Sequence, residues 1–151
     1  MSRKNLPCSA RVLSLVLMSA LLLGGGGVWA QAEAPAEGPA PVVEVLFGTD
    51  VDRATRTIVG QSEEFGADGF SAEEGQVFCL TRIQHLAAPA SVTHVWYYEG
   101  KTMARVELTV GSADWRTWSS KRVLPAWTGN WELKVLDANG MVLASAEFTV
   151  K

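Results

Sequence analysis

The residues best suited to bind a ligand lie in the second half of the chain, where tryptophans and basic side chains occur together. If residues 115–123 form a strand, Arg116, Trp118 and Arg122 share one face, because side chains alternate across a strand. Trp127 follows in the next loop. Arginine stacks on indole rings, and both residue types are favoured at binding anchors. We therefore predict a binding face that comprises Arg116, Trp118, Arg122 and Trp127.

The same aromatic side chains also suit a purely structural role. Five of the 6 tryptophans lie after residue 30. A buried aromatic side chain removes about 150–250 Å² from water, so these five side chains would supply much of a small core. A structural accessory domain without a ligand is therefore the alternative to a binding domain.

Residue types used in catalysis are present, but their spacing is unfavourable. Ser120 and Lys121 are adjacent, so on a strand their side chains point to opposite faces. The sequence has neither a G-x-S-x-G elbow nor an S-x-x-K motif. The paired glutamates at 63–64 and 73–74 fall in predicted solvated loops, although carboxylate pairs serve glycoside hydrolysis. We predict that the chain is not an enzyme, and a hydrolase is the less favoured alternative.

Metal and cofactor motifs are also missing from the sequence. A zinc site needs clustered histidine, cysteine or carboxylate ligands. The two histidines are His85, in a predicted loop, and His94, which shares a strand face with Trp96. Cys79 is the nearest cysteine. No glycine motif for phosphate binding is present. We predict no metal and no cofactor.

The first 30 residues have the composition of a secretory signal sequence. Three basic residues near the start precede an apolar run at 12–23, and Val28-Trp29-Ala30 resembles a cleavage site before Gln31. The apolar run is too short to span a bilayer, which requires about 20 apolar residues. We expect a cleaved signal, a periplasmic or secreted protein, and no membrane span after cleavage. An uncleaved membrane anchor is the alternative.

Charge and cysteine content change once the signal is removed. The whole chain of 151 residues carries a net charge of −3, and residues 1–30 contain three of its 13 basic residues and none of its 16 acidic ones. The remaining chain therefore has a net charge of about −6, which argues against nucleic-acid binding. Cys79 is then the single cysteine, so no internal disulfide is expected, and Cys79 is predicted to be buried in a strand.

The periodicity after the signal predicts a linker and one β-domain. Residues 31–41 are rich in Ala, Pro and Glu, which favours an extended solvated tether. From residue 42 to residue 151 apolar and polar residues alternate, as in half-buried strands. Glu99-Gly100 and residues 137–140 have the composition of turns. Strands are predicted at 43–47, 76–83, 92–98, 101–110, 115–123, 131–136 and 141–150, with a further short strand at 57–59. In the last strand Val142, Ala144, Ala146, Phe148 and Val150 are expected to point inward.

This strand pattern predicts an all-β fold. About seven short strands with turns every 8–12 residues are typical of an antiparallel two-sheet sandwich of the immunoglobulin-like type. A closed barrel is the alternative.

Several motifs of the second half are similar to those of a known family. The sequence contains His94-Val-Trp-Tyr-Tyr-Glu-Gly-Lys101, Trp115-Arg-Thr-Trp-Ser-Ser-Lys-Arg122, Trp127-Thr-Gly-Asn-Trp131 and Asp137-Ala-Asn-Gly140. These motifs resemble the bacterial family known as domain of unknown function 2914, and the similarity covers about residues 42–150. The resemblance implies a small β-domain at the end of an exported or membrane-anchored chain. It implies no specific activity.

Together these features predict an exported, non-enzymatic binding domain. The ligand would be an envelope glycan, another anionic ligand or a protein partner, held by the aromatic and basic face. Nucleic acid is not an expected partner.

Overall fold

The computed structural model describes residues 38–66 and 75–151. The predicted signal sequence at 1–30 and the linker residues 31–37 lie outside the described residues. Residues 38–41, the last part of the predicted linker, are exposed and have no regular secondary structure. The described residues contain no helix, and therefore none long and apolar enough to cross a bilayer. Their ten strands are β1 (Val42–Gly48), β2 (Asp50–Asp52), β3 (Thr57–Val59), β4 (Glu64–Phe65), β5 (Gln76–Gln84), β6 (Ala90–Tyr98), β7 (Lys101–Val110), β8 (Asp114–Arg122), β9 (Gly129–Leu136) and β10 (Val142–Val150).

The strands form two main sheets and one small hairpin. One sheet has three strands in the order β1-β5-β8, and the other has five in the order β4-β10-β9-β6-β7. Strands β2 and β3 pair with each other. All pairings are antiparallel except that between β10 and β4. The fold is therefore all-β, as predicted, and its two main sheets are compatible with a β-sandwich. The strand number differs from the predicted seven because β2, β3 and β4, of two or three residues each, are counted among the ten.

The core lies between the inner faces of the two main sheets. Phe47 of β1 lies 4.8 Å from Phe148 of β10 and 6.3 Å from Trp96 of β6, measured between ring centres. Trp131 of β9 stacks on Phe148 at 5.8 Å. Tilted and edge-on contacts of this kind stabilise aromatic pairs beyond the area they bury. Four aromatic rings from both sheets thus form the centre of the core.

Alternation along the strands follows the predicted pattern in most places. Trp131, Leu133 and Val135 of β9 are fully buried, and Phe148 and Val150 of β10 are nearly so. Val142, however, is 51% exposed, so the prediction that it points inward is wrong. A register shift between Val142 and Ala144 explains the difference, because one extra residue in a strand reverses the faces beyond it.

The turn between β6 and β7 is the predicted two-residue hairpin. Glu99 and Gly100 both have positive φ values, 44° and 75°. Two consecutive positive φ values match the right-handed twist of the flanking strands. The Glu99 carboxylate also accepts a hydrogen bond of 2.7 Å from the Asn130 backbone N–H, which ties the turn to β9.

Candidate functional site

Strand β8 carries three of the four predicted binding residues. It forms one edge of the three-stranded sheet, next to β5. Thr117 and Ser119 are buried on its inner face. Arg116 and Trp118 are half-buried and Arg122 is exposed, all on the opposite face. Strand β8 therefore shows the predicted alternation, and it places Arg116, Trp118 and Arg122 together on the outer face of this sheet.

Two cross-strand rows organise that outer face. In the first row Glu44, Arg82 and Arg116 lie opposite one another on β1, β5 and β8. In the second row Leu46, Leu80 and Trp118 do the same. Side chains directly opposite in a sheet are within contact range. A charged row thus lies beside an apolar row, and the indole of Trp118 ends the apolar row.

A groove of about 290 Å³ lies over these rows, beneath the β2–β3 hairpin. Three arginines line it, Arg56, Arg82 and Arg116, together with one acidic residue, Glu44. Its volume is close to the lower limit of the 300–1,000 Å³ that is usual for small-molecule sites. The groove therefore has the size and the charge to receive one anionic group. Its apolar lining consists of Leu46, Ile58 and Leu80.

The three arginines differ in the interactions that their guanidinium groups already form within the protein. Arg82 donates two hydrogen bonds to Asp114, at 3.1 Å and 2.8 Å, and these hold the pKa of that carboxyl below its usual range. Arg56 lies 5.0 Å from the ring centre of Trp115. Arg116 forms no hydrogen bond or close ion pair with any described residue. Of the three, Arg116 is therefore the guanidinium best placed to bind a ligand, because it attracts Asp114 only through its charge, whereas Arg82 donates two hydrogen bonds to that carboxylate.

Trp127, the fourth predicted binding residue, lies in a different cluster. Its ring lies 6.3 Å from that of Tyr98 and 6.0 Å from that of Trp131, and it packs against the core. Lys121, whose side chain points away from the outer face of β8, lies 5.5 Å from the Trp127 ring. The structure therefore places Trp127 in a cluster with Tyr98, Trp131 and Lys121, and not in the cross-strand rows that contain Arg116 and Trp118.

The five tryptophans after residue 30 divide between the two predicted roles. Trp96 and Trp131 are fully buried and belong to the core. Trp115, Trp118 and Trp127 are half-buried. Trp115 and Trp127 pack against the core, whereas Trp118 is not part of that cluster. Trp118 is thus the tryptophan with the clearest potential for binding.

A buried polar network joins the two sheets beneath β8. His94 lies between two hydroxyls: its Nδ1 is 2.8 Å from Ser119 Oγ, and its Nε2 is 3.0 Å from Thr81 Oγ1. Trp96 Nε1 also donates a hydrogen bond of 3.1 Å to Ser119 Oγ. Because that oxygen already accepts, its own proton is available to a neutral imidazole. Burial lowers the pKa of His94 to about 4, so the ring is neutral at pH 7.

This serine and histidine are not arranged for a reaction with a ligand from solvent. Ser119 is only 6% exposed and His94 is fully buried. The second ring nitrogen contacts Thr81, not the carboxylate that orients the histidine of a serine hydrolase. The network explains instead how three polar side chains are satisfied in the core. The sequence pattern drew attention to Ser120 with Lys121 and not to Ser119 with His94, because the latter two residues come from strands of different sheets.

Cys79 and the possible metal ligands complete the description of the site. Cys79 is buried, as predicted, and burial raises the pKa of its thiol to about 12. The thiol therefore stays protonated and is a poor nucleophile. Within residues 38–66 and 75–151, no three His, Cys, Asp or Glu side chains form a group that could hold a metal ion.

The sequence pattern also did not indicate that Arg56 and Arg82 belong to the groove. They come from the β2–β3 turn and from β5, far in sequence from Arg116. Only Arg82 has a signal in the pattern, because it lies at an outward-facing position of a strongly predicted strand. Arg56 reaches the groove through the position of a short hairpin that the sequence does not define.

Comparison with known proteins gives a family match in the last part of the chain. The sequence model of one family, described as protein of unknown function (DUF2914), matches residues 89–150. The match includes strands β6 to β10 and all the motifs on which the resemblance was based, and it begins later than the predicted residue 42. No curated protein matches the sequence. Residues 89–150 of this chain are thus similar to the DUF2914 family.

Proposed function

We propose that the chain is an exported, non-enzymatic binding domain that holds an acidic glycan of the cell envelope on the outer face of its three-stranded sheet. The observation that carries this proposal is the arginine groove, where three arginines line a volume of about 290 Å³, and Trp118 lies in the neighbouring cross-strand row. Arg116 would bind a carboxylate or phosphate, and bidentate contacts of this kind are strong and geometrically specific. Trp118 would stack on a sugar ring, while Arg122 lies farther along the same face.

The wider architecture is part of the proposal. We assign the two sheets, of three and five strands, to an immunoglobulin-like sandwich, on the basis of their order and their mainly antiparallel pairing. The N-terminal composition supports cleavage after Ala30 and a periplasmic or secreted location.

A structural accessory domain remains the second candidate function. It is favoured by the burial of Trp96 and Trp131 and by the position of Trp118 directly opposite Leu80, which is only 4% exposed. In that case Trp118 covers an apolar side chain and binds nothing.

Affinity for a matched pair of sugars tests the proposal. The probes are oligogalacturonate and its methyl ester, which has the same backbone without charge, and tryptophan fluorescence reports binding. We expect the acid to bind and the ester to bind at least tenfold more weakly, as the loss of about 1.4 kcal/mol would give. An Arg116→Ala/Trp118→Ala variant should bind the acid at least tenfold more weakly than the unmodified protein does.

The control variant is Arg105→Ala, which removes an exposed arginine of β7 that does not line the groove. It should bind like the unmodified protein. If the double variant folds normally and binds the acid with unchanged affinity, the proposed face is wrong. If instead the single Trp118→Ala change unfolds the protein in a thermal melt, the structural role is favoured.

A further inference from the structure

A second cleft lies on the side of the fold where two strand edges are open. Strand β1 lies at the edge of the three-stranded sheet, and β10 pairs with β4 only through Thr149 and Val150. Between these edges is a cleft of about 720 Å³. Its walls are Val45–Phe47 of β1, Ser145–Glu147 of β10 and the segment Gln61–Glu63. The cleft shares no residue with the arginine groove other than Leu46 and Gln61.

The protein's own chain occupies one end of this cleft and hydrogen-bonds to both edges. The backbone N–H of Ser62 donates to the carbonyl of Phe47 at 3.1 Å. The backbone N–H of Thr149 donates to the carbonyl of Glu63 at 2.9 Å. Strand β4 then continues this pairing along the end of β10. An extended segment in the cleft therefore has a structural precedent within the same molecule.

Beyond that end, the backbone groups of β10 that face the cleft pair with no strand of the described residues. Alternate residues of a strand direct their N–H and C=O groups to the same side. Because Thr149 directs its N–H toward β4, Glu147 and Ser145 direct theirs into the cleft. On β10, no strand of the described residues pairs with these two positions from that side. Open rows of this kind are templates for the addition of a further strand.

The charge in the cleft indicates which segment would fit. Among the described residues, its lining includes Glu63 and Glu147 and no residue with a cationic side chain. Neither carboxylate forms an ion pair with a described residue, whereas the neighbouring Glu64 is paired with Lys151 at 2.7 Å. The linker of this chain is a poor occupant, because it contains prolines and glutamates. A basic segment complements the two carboxylates.

We propose that this cleft binds an extended, lysine- or arginine-bearing segment of a partner protein, which adds as a strand beside β10. The segment continues the row that β4 begins and receives backbone hydrogen bonds from Ser145 and Glu147. Its apolar side chains point toward Val45 and Ala146, and its basic side chains reach Glu63 and Glu147. This inference does not depend on the arginine groove.

Amide hydrogen exchange of the full protein tests the inference. The probes are the synthetic peptides acetyl-KVTVKV-amide and acetyl-EVTVEV-amide. The lysine peptide should slow exchange at the Ser145 and Glu147 amides at least about tenfold, because these amides become hydrogen-bonded. The glutamate peptide should leave them unchanged. The inference is wrong if neither peptide slows hydrogen exchange at these amides at about 10 mM, a concentration tenfold above a weak Kd of about 1 mM.

A charge-reversal variant shows whether the two carboxylates select the peptide. In Glu63→Lys/Glu147→Lys the preference should reverse, so that the glutamate peptide protects the two amides. The control is Glu107→Lys, which changes an exposed residue of β7 outside the cleft and should keep the original preference. An unchanged preference in the double variant overturns the inference. So does protection that rises with protein concentration alone, which would identify a second copy as the occupant.

Discussion

At the scale of single residues, His94 shows how burial decides the role of a chemically versatile side chain. Its ring bridges the two sheets through Ser119 and Thr81, and burial depresses its pKa to about 4. The fold therefore requires a neutral imidazole. An unfolded chain has no such requirement, because a solvated histidine takes up its proton near the usual value of 6.5.

This difference predicts an acid-sensitive fold. Between pH 6.5 and about 4 the unfolded chain binds a proton at His94 that the folded chain does not, so stability falls as the pH is lowered through this range. At 1.36 kcal/mol per pKa unit the loss reaches about 3 kcal/mol. Thermal melts across this range should therefore show a falling melting temperature.

Substitution of the two histidines separates this effect from others. In His94→Gln the melting temperature should vary less between pH 6.5 and pH 4, because the titrating group is absent. His85→Gln, a change at an exposed residue, should keep the full dependence. The aspartates with lowered pKa, such as Asp137, also lose stabilising interactions in acid, but they are present in both variants, so the difference between the variants isolates His94. An equal pH dependence in His94→Gln and the unmodified protein would contradict the role of His94.

At the scale of elements, the β2–β3 hairpin determines the shape of the arginine groove. The hairpin lies over β1 at Gly48, where an added Cβ atom would meet the Val59 carbonyl oxygen and the Ile58 side chain. The Thr49 N–H donates to the same carbonyl at 2.9 Å. Glycine at position 48 therefore allows the hairpin to approach the sheet closely enough for Arg56 to reach the groove.

We predict that Gly48→Ala loosens this hairpin. The added methyl group should lower the free energy of unfolding by about 1–3 kcal/mol, the usual cost of overpacking. Affinity for oligogalacturonate should fall as well, although Arg116 and Trp118 are unchanged. Chemical denaturation and the fluorescence titration measure the two effects. Gly38→Ala, in an exposed segment where an added Cβ meets nothing, is the matched control. Unchanged affinity in a destabilised Gly48→Ala protein would show that the hairpin does not shape the site.

Strand alternation and the Glu99-Gly100 turn could be predicted from the sequence because they depend on neighbouring residues. The faces of β8 are an example, since a period of two is enough to place Arg116 and Trp118 together. Register shifts are not visible in such a pattern, and one of them exposes Val142. The pairing of β8 with β5, not with its chain neighbours, is also a long-range choice, and it brings Arg82 beside Arg116.

At the scale of the whole molecule, charge is distributed differently in space than along the sequence. Residues 31–75 are mainly acidic, with ten acidic residues and two basic ones. One of those two, Arg56, nevertheless lines the basic groove with Arg82 and Arg116. Conversely, Glu147, which lies near the end of the chain, lines the acidic cleft together with Glu63. The fold therefore forms a basic groove and an acidic cleft, and the residues that line each of them come from segments distant in the sequence.

The two proposed binding functions can be tested separately, because one rests on the arginine groove and the other on the acidic cleft. Substitution of Arg116 should affect acidic ligands alone, and substitution of Glu63 and Glu147 should affect basic peptides alone. The measurement that tests the proposed binding face most directly is the NMR spectrum of the tryptophan indole N–H groups during titration with oligogalacturonate. The five tryptophans after residue 30 each give one signal and serve as reporters from different parts of the fold.

We expect the Trp118 signal to shift most, followed by that of Trp115, which lies beneath Arg56. The signals of Trp96 and Trp131 should stay in place, because both side chains are fully buried in the core. A spectrum in which the Trp118 signal does not move while the acid binds, or in which the Trp127 signal shifts instead, would contradict the proposed face.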